Sequence, residues 1–329
     1  MMTTSPLTNN TLTAVPGIHV GHHTNLDAVT GCTVVICPPN TVGGVDVRGG
    51  APGTRETDLL RPVNRVNQVN AVMLAGGSAY GLAAADGAMR YLEEHDLGYK
   101  THTGHVVPIV PSAIIFDLAV GRGDIRPDAA MGYAACRTAS DAPVEQGSVG
   151  AGTGCRISAL LGDQYATKGG IGSAAVDIGG GVIVAALCVV NAVGEVLDEN
   201  GQILAGLRDP ADPRKFTPIM TYMRALPSET AAPAAPTENT VIGVVATNAR
   251  LTKEEVNKVA QMAHDGLARA VRPAHTMFDG DTLFALATGE AAVDVSVVGA
   301  YGAEMVAQAI RNGVRAATTL GGIKSWSEG

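Results

Sequence analysis

Three stretches of the chain run apolar with almost no polar interruption: "GVIVAALCVV" (181–190), "VIGVVAT" (241–247) and "TLFALAT" (282–288). Side chains of a strand alternate between two faces, so a strand apolar throughout has to be covered on both. Between the last two runs lies a helical pattern, with Val256, Val259, Ala260, Ala263 and Leu267 on one stripe. Thr252 and Glu255 ahead of it form a capping box, and Leu251 with Val256 a hydrophobic staple. Another helical pattern, 295–314, follows the third run. The order strand–helix–strand–helix predicts two neighbouring strands covered by two helices, with a further layer on their far side. The expected architecture is an α/β sandwich with sheets inside and helices outside.

The rest of the chain gives weaker signals. Residues 69–95 read as strand, glycine turn and helix, with Leu82, Ala85, Met89 and Leu92 at helical spacing. Residues 127–139 read as a helix, 168–198 as two strands around a glycine turn, and 147–155 as a glycine loop. The segment "HVGHHTNLDAVTGC" reads as turns leading to a strand at 32–37, and 45–60, rich in Gly, Pro and charge, as a loop. Residues 206–239 change character: "RDPADPRK" and "SETAAPAAPTEN" are polar, proline-rich and unpatterned. They are expected to be a linker. No fixed-period repeat interrupts this order, and 1–329 reads as a single domain.

Composition narrows the functions. Net charge is −8 with no basic block, which argues against nucleic acid. No apolar run reaches the length needed to span a bilayer, and the first residues lack the charge and apolar core of a signal peptide, so a cytoplasmic protein is expected. The five cysteines (32, 37, 136, 155 and 188) form no paired motif and read as small buried hydrophobes in a reducing compartment. His22, His23, His102 and His105 lack companions at ligand spacing, so no metal site is expected. The glycine loops "GAGTGC" and "GGIGSA" lack the helix and acidic residue of a dinucleotide fingerprint, and no cofactor is expected.

Two places can carry chemistry. Thr240 stands where the proline-rich segment meets the strand 241–247. Cutting the peptide bond before it would give Thr240 a free α-amine, whose reference pKa of about 7.7–8.0 suits it to accept the hydroxyl proton. Thr is also a common first residue of an ordinary strand. In "FDGDT", Asp279 and Asp281 flank a glycine ahead of the next strand; such a pair can bind a metal, orient an ammonium and a hydroxyl, or simply make a turn. A further stretch, "AGGSAYG", puts Gly77 and Ser78 at a strand-to-helix turn whose N–H groups would suit a carboxylate or oxyanion.

These segments together resemble the DmpA-like family of peptidases, which holds β-peptidyl aminopeptidases, L-aminopeptidase/D-esterases and the 6-aminohexanoate-oligomer (nylon oligomer) hydrolases. The resemblance runs from about residue 17 to 322, through "GIHVGHHT", "GVDVRGGAPGTRETDLL", "LAGGSAYGL", "GAGTG", "KGGIGSAA", "VVNAVGEVLD", "NTVIGVVATNARLT" and "HTMFDGDTLFALAT". It implies a four-layer αββα fold of the N-terminal-nucleophile type and self-cleavage between Asn239 and Thr240, giving fragments 1–239 and 240–329. It further implies Thr240 as nucleophile, Asn191 as oxyanion donor, and Asp279 and Asp281 holding the Thr240 amine and hydroxyl. A homotetramer is implied, as are small peptides or linear oligoamides as substrates. Phe116 stands where polyamide-hydrolysing relatives carry Tyr, and Ala159 where some relatives carry Lys; Lys168 is the candidate for the missing positive charge, and Phe116 for the substrate pocket. The competing reading is a non-catalytic α/β protein that holds a small molecule in its glycine loops.

Overall fold

The computed structural model describes residues 7–225 and 239–328. Two five-stranded sheets stack face to face between two pairs of helices, the expected αββα order. The first sheet contains β1 (His19–Asn25), β2 (Thr30–Ile36), β4 (Thr54–Arg55), β5 (Ala71–Ala75) and β6 (Ser112–Ile114), in the order β1-β2-β5-β6-β4. The second contains β3 (Val42–Val47), β7 (Ile171–Asp177), β8 (Ile183–Asn191), β9 (Thr240–Ala249) and β10 (Thr282–Ala291), in the order β7-β8-β9-β10-β3. Each sheet holds one parallel pair, β5/β6 or β9/β10, and the other pairings are antiparallel. A helix lies between the strands of each parallel pair, as parallel pairing requires a long crossover: α1 (Ala84–Glu94) and α3 (Lys253–Ala270). The remaining outer helices are α2 (Ala129–Arg137) and α4 (Val295–Ala316).

The apolar runs sort into three layers of core. Even-numbered residues of β8 such as Val184 and Val190 pack under α3 and α4, while Leu187 and Val189 face the other sheet, where they meet Val72, Leu74 and Ile115. Alanines of α1 and α2 cover the outer face of the first sheet. The capping box of α3 is present in full, and Leu251 and Val256 are both buried. All five cysteines are free and buried.

Three expectations are corrected. The segment read as turns is an edge strand, β1, paired with β2 through seven residues. The loop read at 45–60 holds the end of β3, the other sheet's edge, and the short β4. Edge strands covered on one side need no continuous apolar run, and Gly43 and Gly44 weaken the β3 signal. The linker read at 206–239 is structured in its described part. Arg208 is buried, with its guanidinium on the carbonyls of Pro213 and Ser325, and Ile219–Ala225 is helical. The remainder, 226–238, lies outside the described residues.

Candidate active site

Thr240 is the first residue of β9, buried between two strands. On one side it pairs with Asn191, the last residue of β8. On the other, the chain just ahead of it runs beside the loop before β10: Asn239 N–H donates to Phe278 O (3.2 Å), and Gly280 N–H donates to Asn239 O (3.1 Å). The Thr240 hydroxyl donates to that same carbonyl. Hydroxyl and backbone amide therefore converge on one C=O, that of the peptide bond expected to break. Gly280 is required here. A Cβ at this position would lie 2.9 Å from Thr240 Oγ1 and 2.7 Å from Ala51 O.

The two aspartates are both buried but differently engaged. Asp281 Oδ1 accepts Val241 N–H (2.8 Å), and Oδ2 accepts both the backbone N–H (3.0 Å) and ring Nδ1–H (2.8 Å) of His275. Asp279 Oδ2 accepts the N–H (2.8 Å) and hydroxyl (2.6 Å) of Thr276. Burial, with the charge of Asp281 beside it, pushes the Asp279 carboxyl up to about 6. The loop is laced from below by residues 48–51: Arg48 N–H donates to Asp281 O (2.9 Å), Ala51 N–H to Asp279 O (2.8 Å) and Gly50 N–H to Thr276 O (3.0 Å).

Asn191 is fully buried, and its amide is fixed at both ends. Oδ1 accepts Arg156 N–H (2.9 Å), and one Nδ2–H donates to Phe116 O (3.2 Å). An amide nitrogen has two donors, so a second N–H is available on a residue paired with Thr240. Phe116 thus enters the site through its backbone carbonyl.

Lys168 is placed next to this group, not on Thr240. Its ammonium donates to Gly169 O (2.8 Å) and Gly152 O (3.2 Å). Burial lowers its pKa to about 8, while the Cys155 sulfur and the Asp117 carboxyl pull it upward. Lys168 pairs with Arg156, whose own N–H holds Asn191. The N–H groups expected to bind an anion at the "AGGSAYG" turn are committed within the fold. Gly77 N–H donates to Asp117 Oδ1 (2.6 Å) and Ser78 N–H to Ile115 O (3.0 Å), and both residues have positive φ. The carboxylate met there is that of Asp117, buried two residues beyond Ile115.

His275, Thr276 and Asp117 escaped sequence reasoning. Thr276 carried a signal, since a Thr three residues before Asp279 is the spacing of a local side-chain-to-backbone turn. Among the described residues, no group of three or more His, Cys, Asp or Glu side chains is arranged to hold a metal ion. No described helix is long and apolar enough to cross a membrane.

The fold has close solved counterparts. A β-aminopeptidase of a Burkholderia species superposes with a TM-score of 0.70 at 23% identity, covering 99% of this chain and 93% of that one. An L-aminopeptidase D-Ala-esterase/amidase of Ochrobactrum anthropi, described as a variant of the Ntn hydrolase fold, gives 0.70 at 20% identity, with 96% and 89% covered. The architecture is therefore that of the N-terminal-nucleophile hydrolases. In sequence, the chain is 46% identical to an uncharacterized aminopeptidase of Mycobacterium leprae, over 96% of this chain and 93% of the relative. It is 34% identical to a 6-aminohexanoate-oligomer endohydrolase of a Kocuria species, over 84% of this chain and 74% of the relative. The family model described as Peptidase family S58 matches residues 10–327, and the chain belongs to that family. It is an amide hydrolase, and the reading as a non-catalytic binding protein falls away.

Proposed function

We propose that the chain cuts its own Asn239–Thr240 bond, and that the Thr240 so freed hydrolyses amides of small peptides or linear oligoamides through an acyl-enzyme. The observation that carries this reading is the shared carbonyl. Thr240 Oγ and Gly280 N–H both hydrogen-bond to Asn239 O, which keeps the hydroxyl beside that carbonyl and gives its oxygen a backbone donor for the charge an N-to-O acyl shift develops there. In that shift Oγ bonds to the Asn239 carbonyl carbon, the C–N bond breaks, and the Thr240 nitrogen takes up the proton. Water then hydrolyses the ester, leaving a carboxylate on Asn239 and a free amine on Thr240.

In the mature enzyme the α-amine accepts the Oγ proton as Oγ attacks the substrate carbonyl. The uncommitted N–H of Asn191 stabilises the oxyanion, a donor of a kind worth ~3–4 kcal/mol. Lys168, behind Asn191, adds positive potential. Asp281 fixes Val241 and thereby the register of Thr240, and Asp279 is the carboxylate assigned to the new ammonium. The proton returns to the leaving amine, and water releases the acid. The scheme uses groups of this chain and water.

The relatives' names span aminopeptidases and an oligoamide endohydrolase. Both substrate types offer an amide in a short chain with a free ammonium end, which the two carboxylates suit. A cytoplasmic homotetramer is the working assembly.

The test is the intact mass of purified protein under denaturing conditions. The wild type should give fragments 1–239 and 240–329. Thr240→Ala should give one folded chain of 33.5 kDa without amidase activity. A cleaved or active Thr240→Ala protein would place the nucleophile elsewhere.

A further inference from the structure

We propose that His275 is a positioning residue for the nucleophile, acting through Asp281. The inference rests on Thr240 being that nucleophile.

The contacts form one continuous path. Asp281 joins two segments: Oδ1 holds the N–H of Val241, the residue after Thr240, and Oδ2 is held by His275, through backbone and ring. A carboxylate that accepts from both sides cannot rotate about its terminal bond without losing hydrogen bonds. The His275 pair therefore fixes the plane in which Oδ1 meets Val241. Rotation of that plane would shift the start of β9, and with it the Thr240 hydroxyl.

His275 is itself held in an unusual state. Its φ is +58°, a left-handed conformation that non-glycine residues seldom adopt. Such strain persists where surrounding structure enforces it, and it clusters at working sites. In this conformation ring and backbone N–H both reach one oxygen. Its ring also meets His264 of α3 edge-on, with centroids 4.8 Å apart at 71°. His264 Nε2–H donates to Asp46 O of β3 (3.0 Å), and burial lowers the His264 pKa to about 4. A neutral ring, tied to the sheet edge, thus forms the wall against which His275 rests. The groups facing His275 are therefore His264, with Asp46 beyond it, and Asp281.

A merely structural histidine would be replaceable by any residue that keeps the fold. A positioning role needs an N–H at the Nδ1 place. His275→Asn supplies one and tolerates positive φ; His275→Gln places its amide farther out, near Nε2; His275→Ala has none. The readouts are the rate at which newly made chain cuts its own bond, and kcat and KM on an aminoacyl p-nitroanilide and a 6-aminohexanoate oligomer. Thermal unfolding is followed in parallel.

His275→Asn should stay within about threefold of wild type in both rates, while His275→Gln and His275→Ala lose roughly ten- to a hundredfold in kcat with KM little changed. Where His275→Ala fails to fold, the Asn–Gln contrast still decides. Equal rates for Asn and Gln, a wild-type rate for Ala, or a change in KM alone would overturn the proposal. Thr240→Ala separates the two claims. If it stays active, the nucleophile reading fails; if it is inactive while the His275 series is flat, only the positioning role fails.

Discussion

Asp279 and Asp281 carry the same group two residues apart, yet the fold uses them for different tasks. Asp281 accepts three N–H donors, one of them from the residue after Thr240. Asp281→Asn would turn an NH2 toward those donors, so turnover should fall by roughly a hundredfold, the scale of a small misplacement at a reacting group. A wild-type rate in that variant would reduce the pair to a turn. Asp279 is held above its ordinary value of 3.8, at about 6, by burial and by its neighbour's charge. The fold therefore favours the protonated form. The stability this lends is fully present below about pH 4 and is lost as pH rises through about 6. Asp279→Asn has no proton to lose. Wild type should gain stability relative to that variant on going from pH 7 to pH 4, measured by urea unfolding at several pH values. A difference constant with pH would contradict the raised value.

At the scale of elements, the site depends on a loop whose hydrogen bonds go to the aspartate segment. Residues 48–51 hold the Asp279–Asp281 loop through backbone hydrogen bonds, and a Cβ at Gly49 would lie 2.1 Å from Asp279 O and 2.4 Å from Asp281 N. Backbone atoms cannot turn aside as a side chain can. Gly49→Ala should slow self-cleavage markedly. Thr252→Ala, which removes the α3 cap, should cost about 1 kcal/mol of stability and leave cleavage unchanged. Timed gels of newly synthesised protein with melting curves separate the two effects. The same elements show what the sequence reveals. Strands β8, β9 and β10 were legible because both faces are buried, and the α3 cap because Thr252 and Glu255 stand three residues apart in sequence. Strands β1 and β3 were not, because an edge needs only pairing and one covered side. Thr240, Asn191 and the aspartates drew their roles from the resemblance, since their residue types alone fit ordinary turns and strand ends. His275 was hidden because its role arises from a positive φ and from His264, eleven positions earlier on another element.

For the whole molecule, the consequence of cutting at Asn239–Thr240 follows from strand order. In the sheet β7-β8-β9-β10-β3, fragment 240–329 supplies β9 and β10, and fragment 1–239 supplies the flanking strands. The smaller fragment is thus hydrogen-bonded on both sides, β9 to β8 through eight residue pairs and β10 to β3 through six. Its helices α3 and α4 pack on that same sheet, and α4 approaches β7 so closely that a Cβ at Gly172 would lie 2.1 Å from Ala309 O. Separating the fragments would open two cores at once, between the sheets and under α3 and α4, together with both strand seams. The cut removes one covalent bond and none of these contacts. The fragments should therefore remain together until the whole fold melts, and they should melt in one transition. Native light scattering of fully cleaved protein should give a multiple of 33.5 kDa, four-fold for the proposed tetramer, with both fragments in equal amounts on a denaturing gel of the same peak. A 33.5 kDa peak would reject the tetramer and keep the interlocked sheet. A smaller peak, or two melting steps with one fragment released first, would reject the interlock itself.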